Sequence, residues 1–214
     1  MFLVRTASPW LAAVTAAATL LCCSSSMGHG TATAGPSQTF AVRDYRSDMI
    51  TTLPALGPHP ALGDQARTFD RFVGTWDCDY GLIAEDGTVT RFTGELIVGW
   101  ILDGRAVQDI WISYPGSGDS SERRIGASVR FYDTKAETSR VVWVAPTDGG
   151  MITLTGGVVE DRIVLRGKDG DGPSIRWSFN DIHSDSFVWR GETSRDDGKT
   201  WVLNEEHYMK RRKL

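Results

Sequence analysis

After residue 70 the chain repeats one unit: about ten residues of alternating apolar and polar side chains, then a turn. Seven tryptophans fall in this region, at Trp76, Trp100, Trp111, Trp143, Trp177, Trp189 and Trp201, close to one per repeat. Six turn candidates are Asp-Gly pairs: Asp86-Gly87, Asp103-Gly104, Asp148-Gly149, Asp169-Gly170, Asp171-Gly172 and Asp197-Gly198. Asp-Gly accepts the positive φ of tight hairpin turns, so the pattern predicts a meander of about ten antiparallel strands. One sheet of that length must close on itself to bury a face and remove its edges. The result is an all-β, up-and-down barrel whose large rings either fill its interior or line a ligand cavity.

Period-2 alternation sorts the faces. Phe92, Leu96, Val98 and Trp100 share one side of a long second strand. Ile175, Trp177 and Phe179 oppose Arg176 and Ser178, and Phe187, Trp189 and Gly191 oppose Arg190 and Glu192. Val129 and Phe131 oppose Arg130, which predicts that the two apolar residues face inward. The third strand is two-sided: Gln108 shares a face with Ile110, and Asp109 shares one with Val107 and Trp111. In the last strand, alternation places Trp201 and Leu203 inward together with Glu205, His207 and Met209. A carboxylate and an imidazole two residues apart then face the interior. Such a pair suits either anchoring of a bound ligand or general acid–base work.

The N-terminal third carries other signals. Residues 1–34 have Arg5, an apolar run from Trp10 to Cys23, and an Ala32-Thr33-Ala34 cleavage pattern, as an export signal does. The run is short for a membrane span of about 20 residues. Leu20-Leu21-Cys22-Cys23 also allows a lipid anchor through Cys22 or Cys23. Residues 35–67 hold Pro36, Pro54, Pro58 and Pro60 and predict a flexible linker. Residues 68–214 form the barrel domain. Apolar spacing from Ala61 to Val73 predicts a short helix beneath the barrel, with Phe69, Phe72 and Val73 packed against it.

Composition narrows function by exclusion. The 214 residues carry a formal net charge of −4, and no basic stripe is available to neutralise phosphates, which argues against nucleic acid. Lys210-Arg211-Arg212-Lys213 at the end of the sequence predicts a solvated tail. Cys78 is the lone cysteine of the barrel region and predicts a buried small hydrophobe rather than a disulfide or a nucleophile. HExxH, CxxC, GxSxG, P-loop and dinucleotide motifs are absent, so no cofactor or metal is implied. Asp169-Gly170-Asp171-Gly172 fails as a calcium loop, because Pro173 and Asn180 stand where ligands belong.

Phe72-Val73-Gly74-Thr75-Trp76 resembles the Gly-x-Trp opening of lipocalins and other calycins. With Asp103-Gly104-Arg105-Ala106-Val107-Gln108-Asp109 and Asp197-Gly198-Lys199-Thr200-Trp201, the chain resembles a bacterial family of calycin-like barrels of unsettled activity. The resemblance implies a lipocalin-like barrel and little about chemistry. Haem-binding calycins of the nitrobindin type have a glycine-rich first strand, where this chain has Asp77-Cys78-Asp79-Tyr80. The resulting expectation is an exported barrel that binds a hydrophobic or aromatic small molecule. Trp100, Trp177, Trp189 and Trp201 would line its cavity, and Gln108, Glu205 and His207 would orient the ligand. Two alternatives stand beside it: an isomerase or cyclase using Glu205 and His207 as acid–base pair, and an interaction module with a filled core.

Overall fold

A computed structural model describes residues 45–115, 123–168 and 170–213. The export-signal and lipid-anchor readings of residues 1–34 fall outside them, as does most of the loop between Pro115 and Glu122. Ten strands make the barrel: β2 (Gly74–Ile83), β3 (Val89–Ile101), β4 (Ala106–Ser113), β5 (Arg124–Asp133), β6 (Thr138–Ala145), β7 (Gly150–Val159), β8 (Arg162–Lys168), β9 (Ser174–Asn180), β10 (Ser186–Ser194) and β11 (Val202–Arg211). Each pairs antiparallel with the next, and β11 returns to β2, so the sheet closes. Among the described Asp-Gly pairs, two take positive φ at both residues, and Asp86-Gly87 and Asp148-Gly149 do so at the glycine alone. Asp103 and Gly104 have φ of 58° and 72°, and Asp197 and Gly198 have 56° and 86°.

Within the stretch read as a linker, α1 (Tyr45–Thr52) precedes a two-residue strand, β1 (Pro54–Ala55). Ala55 pairs with Trp100 on β3, beyond the point where β2 begins opposite Val98. The short helix predicted before β2 is present as a 3-10 segment, Gln65–Phe72. In a 3-10 winding, residues i and i+3 eclipse, so Phe69 and Phe72 both face the barrel. Their rings close one end of it against Phe179 and Phe187, with centroid separations of 6.1 Å for Phe69–Phe179 and 4.7 Å for Phe72–Phe187.

The Gly-x-Trp opening has a steric explanation. The Trp76 indole is fully buried and donates to Phe72 O at 2.8 Å. Arg211 lies over its face at 4.1 Å and donates to three carbonyls: Val73 at 2.7 Å, Arg71 at 2.7 Å and Ser184 at 2.8 Å. A Cβ on Gly74 would stand 2.7 Å from Arg211 Nη1, and Gly74 also has φ of 130°, so only glycine admits the clasp. Cys78 is buried, and burial pushes its thiol up to about 12, as an inert core residue.

Two predicted faces are corrected. On β5 it is Arg130 that faces inward, with 7% of its surface exposed, whereas Phe131 is 40% exposed on the outside. The reason is a charge partner inside the barrel, described below. On β11 the alternation breaks. Gly191 pairs with Glu205 but Glu192 pairs with Leu203, a bulge that leaves Asn204 as the extra residue. Glu205, His207 and Met209 keep the inward face, and Trp201 and Leu203 lose it.

Candidate functional site

Six rings form a closed circuit around the barrel interior, each from a different strand. Tyr80 meets Trp111 at 4.9 Å, Trp111 meets Trp143 at 6.0 Å, and Trp143 meets Trp177 at 6.1 Å. Trp177 then meets Trp189 at 5.4 Å, Trp189 stacks on His207 at 4.7 Å, and His207 returns edge-on to Tyr80 at 4.9 Å. Most of these contacts are edge-to-face, the arrangement favoured by the aromatic quadrupole. Glycines make room for the rings. A Cβ would stand 2.4 Å from Tyr80 on Gly94, 2.3 Å from Trp143 on Gly126, and 2.8 Å from Trp189 on Gly191. The six rings all line a cavity of about 490 Å³. That volume lies in the range of small-molecule pockets.

Glu205 and His207 stand at this wall, as alternation on the last strand predicts. His207 is 4% exposed. Gly81 N–H donates to its Nδ1 at 3.3 Å, which makes Nδ1 an acceptor and leaves the proton of the neutral ring on Nε2. Nε2 lies 3.1 Å from Glu205 Oε2 and donates to it. Both ring nitrogens are therefore engaged, and neither is free to ligate a metal or a haem iron. His207 positions Glu205, whose side chain is 43% exposed and is the accessible acceptor of the pair.

A second polar cluster was not expected as a unit. Asp109, 1% exposed on β4, accepts from Ser128 N at 3.0 Å and Ser128 Oγ at 2.9 Å, and pairs with Arg130 Nη1. All three residues line the cavity. The Arg130 guanidinium lies 5.4 Å from the Phe69 ring and 5.6 Å from Phe179, so the cluster sits next to the closed end. Asp109 and Ser128 are direct cross-strand partners. That pairing is the signal that could have found the cluster. An acid in mid-β4 on the Trp111 face needs a cation on the same face of β5, and Arg130 is the candidate.

The remaining expected residues divide. Trp177 and Trp189 line the cavity beside Trp111 and Trp143, which the sequence reading left unassigned. Trp100 is not a wall residue: it is buried in the core and donates to Asp70 Oδ1 at 3.0 Å, tying β3 to the 3-10 segment. Gln108 lies opposite Gly99 and Val129, on the outward side from Asp109, because the Asp109–Arg130 pair takes the interior. Trp201 stands outside the barrel with Arg176 4.3 Å over its ring and its N–H on Gly198 O at 3.0 Å; the bulge put it there. An outward Trp201 covers the Arg176–Glu192 ion pair instead of a ligand.

No family model matches this chain, and no curated protein does. Among solved structures it is similar to Rv2717c from M. tuberculosis, with a TM-score of 0.51 and 11% identity over 73% of this chain and 99% of that one. The S-type phycobiliprotein lyase CPES from Guillardia theta gives 0.49 at 13% identity, covering 68% of this chain and 91% of that one. A redesigned β-barrel, b11L5F_LGL, gives 0.41 at 13% identity, with 71% and 100% covered. At such identities the likeness is one of fold, and it agrees with the strand order: this chain is a closed, ten-strand, antiparallel barrel of the calycin-like kind.

Proposed function

We propose that this protein is an exported barrel that binds one small hydrophobic or aromatic molecule between its indole walls. The observation that carries the reading is the cavity of about 490 Å³ inside the ring circuit, with Glu205 and the Asp109–Arg130 pair as its convergent polar groups. Export rests on the composition of residues 1–34. Trp111, Trp143, Trp177 and Trp189 offer flat faces and edges to a planar ligand, and Glu205, held by His207, accepts a hydrogen bond from it. The assay is titration of the protein with the neutral probe N-phenyl-1-naphthylamine, read as quenching of tryptophan emission. Saturation at one equivalent is expected. Quenching that stays linear in probe, with no saturation, refutes the reading and favours a barrel that acts through its outer surface.

The Glu205–His207 contact supports a second reading, an isomerase or cyclase in which Glu205 moves the proton. Glu205→Gln separates the two. It leaves probe affinity within a few-fold under the binding reading and abolishes turnover under the enzymatic one.

A further inference from the structure

Six charged side chains line the cavity among the described residues: Asp109, Arg124, Arg130, Asp148, Glu192 and Glu205. All but one are compensated. Asp109 pairs with Arg130, Arg124 pairs with Asp148 at 2.6 Å, and Glu192 accepts twice from Arg176. Glu205 is the exception. Its Oε2 accepts from His207 Nε2, and its Oε1 has no hydrogen-bond partner among the described residues. His207 is not its counter-ion, because the Gly81 N–H occupies Nδ1 and the ring stays neutral. The cross-strand neighbours of Glu205 supply no cation either: they are Gly191 on β10 and Leu82 on β2. No Lys or Arg of the described residues forms an ion pair with it.

The carboxylate is within reach of a ligand, since 43% of its side chain is exposed at the cavity wall. A neutral molecule that fills the cavity strips solvent from it and leaves an unpaired anion against apolar walls, which is costly. A neutral hydroxyl supplies the hydrogen bond and leaves the charge uncompensated. A ligand that brings its own cation removes both costs. A bare metal ion does not serve, because no group of three His, Cys, Asp or Glu side chains among the described residues could hold one. The Trp189 indole lies over Gly191, the residue opposite Glu205: a Cβ there would stand 2.8 Å from Trp189 Cη2 and 3.4 Å from Glu205 Cβ. Carboxylate and indole therefore border one another, and a ring packed on the tryptophans needs only a short arm to reach Oε1. Resting on the binding function proposed above, we infer that the ligand is a singly charged arylalkylamine. Its ring lies among the indoles and its ammonium donates to Glu205 Oε1.

The test displaces bound N-phenyl-1-naphthylamine at pH 7 with three naphthalenes of nearly one shape: 1-naphthylmethylamine, which is protonated at that pH, 1-naphthylmethanol and 1-ethylnaphthalene. The amine is expected to bind at least about tenfold tighter than either neutral compound, as a hydrogen bond between charged groups implies. Glu205→Gln removes the charge and keeps an oxygen for His207. In that variant the amine should lose its advantage, with an unchanged near-ultraviolet circular dichroism spectrum as the check on folding. Salt gives an answer without a variant: sodium chloride should narrow the gap between amine and ethyl compound by screening the charges, and a gap indifferent to salt overturns the charge pairing. Equal affinities for amine and ethyl compound in the unaltered protein overturn the inference and leave the binding function standing. An alcohol as tight as the amine also overturns it, in favour of a neutral donor. An advantage that survives Glu205→Gln overturns the assignment to Glu205, and failure of all three to displace a saturating probe overturns the ligand class. Failure of N-phenyl-1-naphthylamine itself to saturate overturns the binding function.

Discussion

Replacing Asp109 and Arg130 singly and together tests whether the inward charge pair is an energetic unit. Asp109→Leu leaves a guanidinium buried against Phe69 and Phe179, and Arg130→Met leaves a 1%-exposed carboxylate with only Ser128 for company. Removing one partner of a buried pair costs about 3–5 kcal/mol, because the survivor keeps its desolvation penalty without compensation. The double variant carries no such charge. Met is close to Arg in volume, and the extra bulk of Leu over Asp is present in the single and the double alike and so cancels from the coupling; what remains is Ser128, whose N–H and hydroxyl both lose Asp109. That loss is worth about 1–3 kcal/mol. The singles therefore sum to roughly 6–10 kcal/mol and the double to far less, a coupling energy on the order of 5 kcal/mol. Urea unfolding followed by tryptophan fluorescence measures each value, with a constant slope against denaturant as the check that the unfolded reference is unchanged. A double variant as unstable as the two singles combined would refute the reasoning. It would mean that Asp109 and Arg130 act through separate contacts and that the inward placement of Arg130 has another cause.

Arg211→Met should destabilise the barrel by about 2–4 kcal/mol, since it removes a charged donor from three carbonyls and a cation from the Trp76 face. Thermal melting checks it, and an unchanged midpoint would show that the clasp is ornamental. Cys78 should resist an aromatic disulfide reagent in the native protein at pH 8 and react at once in denaturant, because burial holds its thiol near 12 against an ordinary value of 9.0. The same shift sets a pH trend: the folded state holds the neutral thiol, so its contribution is full below about 9 and is lost as pH rises towards 12. Rapid native labelling at pH 8, or a Cys78→Ala variant with identical alkaline stability, would contradict this.

Alternation and turn chemistry made the barrel legible because both are local. Ten strands with period-2 patterning and Asp-Gly turns leave few topologies, and the inward faces of β3, β9 and β10 followed directly. The failures are non-local. Arg130 reads as an outward residue until Asp109, two strand positions away on a neighbouring strand, is known to face it. Gln108 was the competing choice for the same reason: on β4 either parity places one polar group inside, and only the cross-strand partner decides. The β11 bulge is likewise silent in the sequence. It comes from the register against β10, and one unpaired residue was enough to carry Trp201 from the expected lining to the outer surface.

The tryptophans answer the question of core or cavity by position along the barrel. Trp76 and Trp100 lie near the end closed by Phe69 and Phe72, where each indole N–H meets a protein acceptor, Phe72 O and Asp70 Oδ1 respectively. Those two fill space. Trp111, Trp143, Trp177 and Trp189 sit in the ring circuit, seated over small residues such as Gly126 and Gly191, and border open volume. A sequence designed only to pack would place larger side chains opposite those rings, because a void lined by apolar groups costs stability in proportion to its size. Here glycine backs the rings so that they lie flat against the wall, and the freed space is left in the centre. The polar groups follow the same division. Asp70 is spent on Trp100, whereas Glu205 at the cavity wall keeps Oε1 without a hydrogen-bond partner among the described residues. Retained volume and retained hydrogen-bonding capacity in the same place are what distinguish a binding site from an imperfect core. Titration with N-phenyl-1-naphthylamine addresses the first directly, since saturation at one equivalent reports a volume that admits a single ring system.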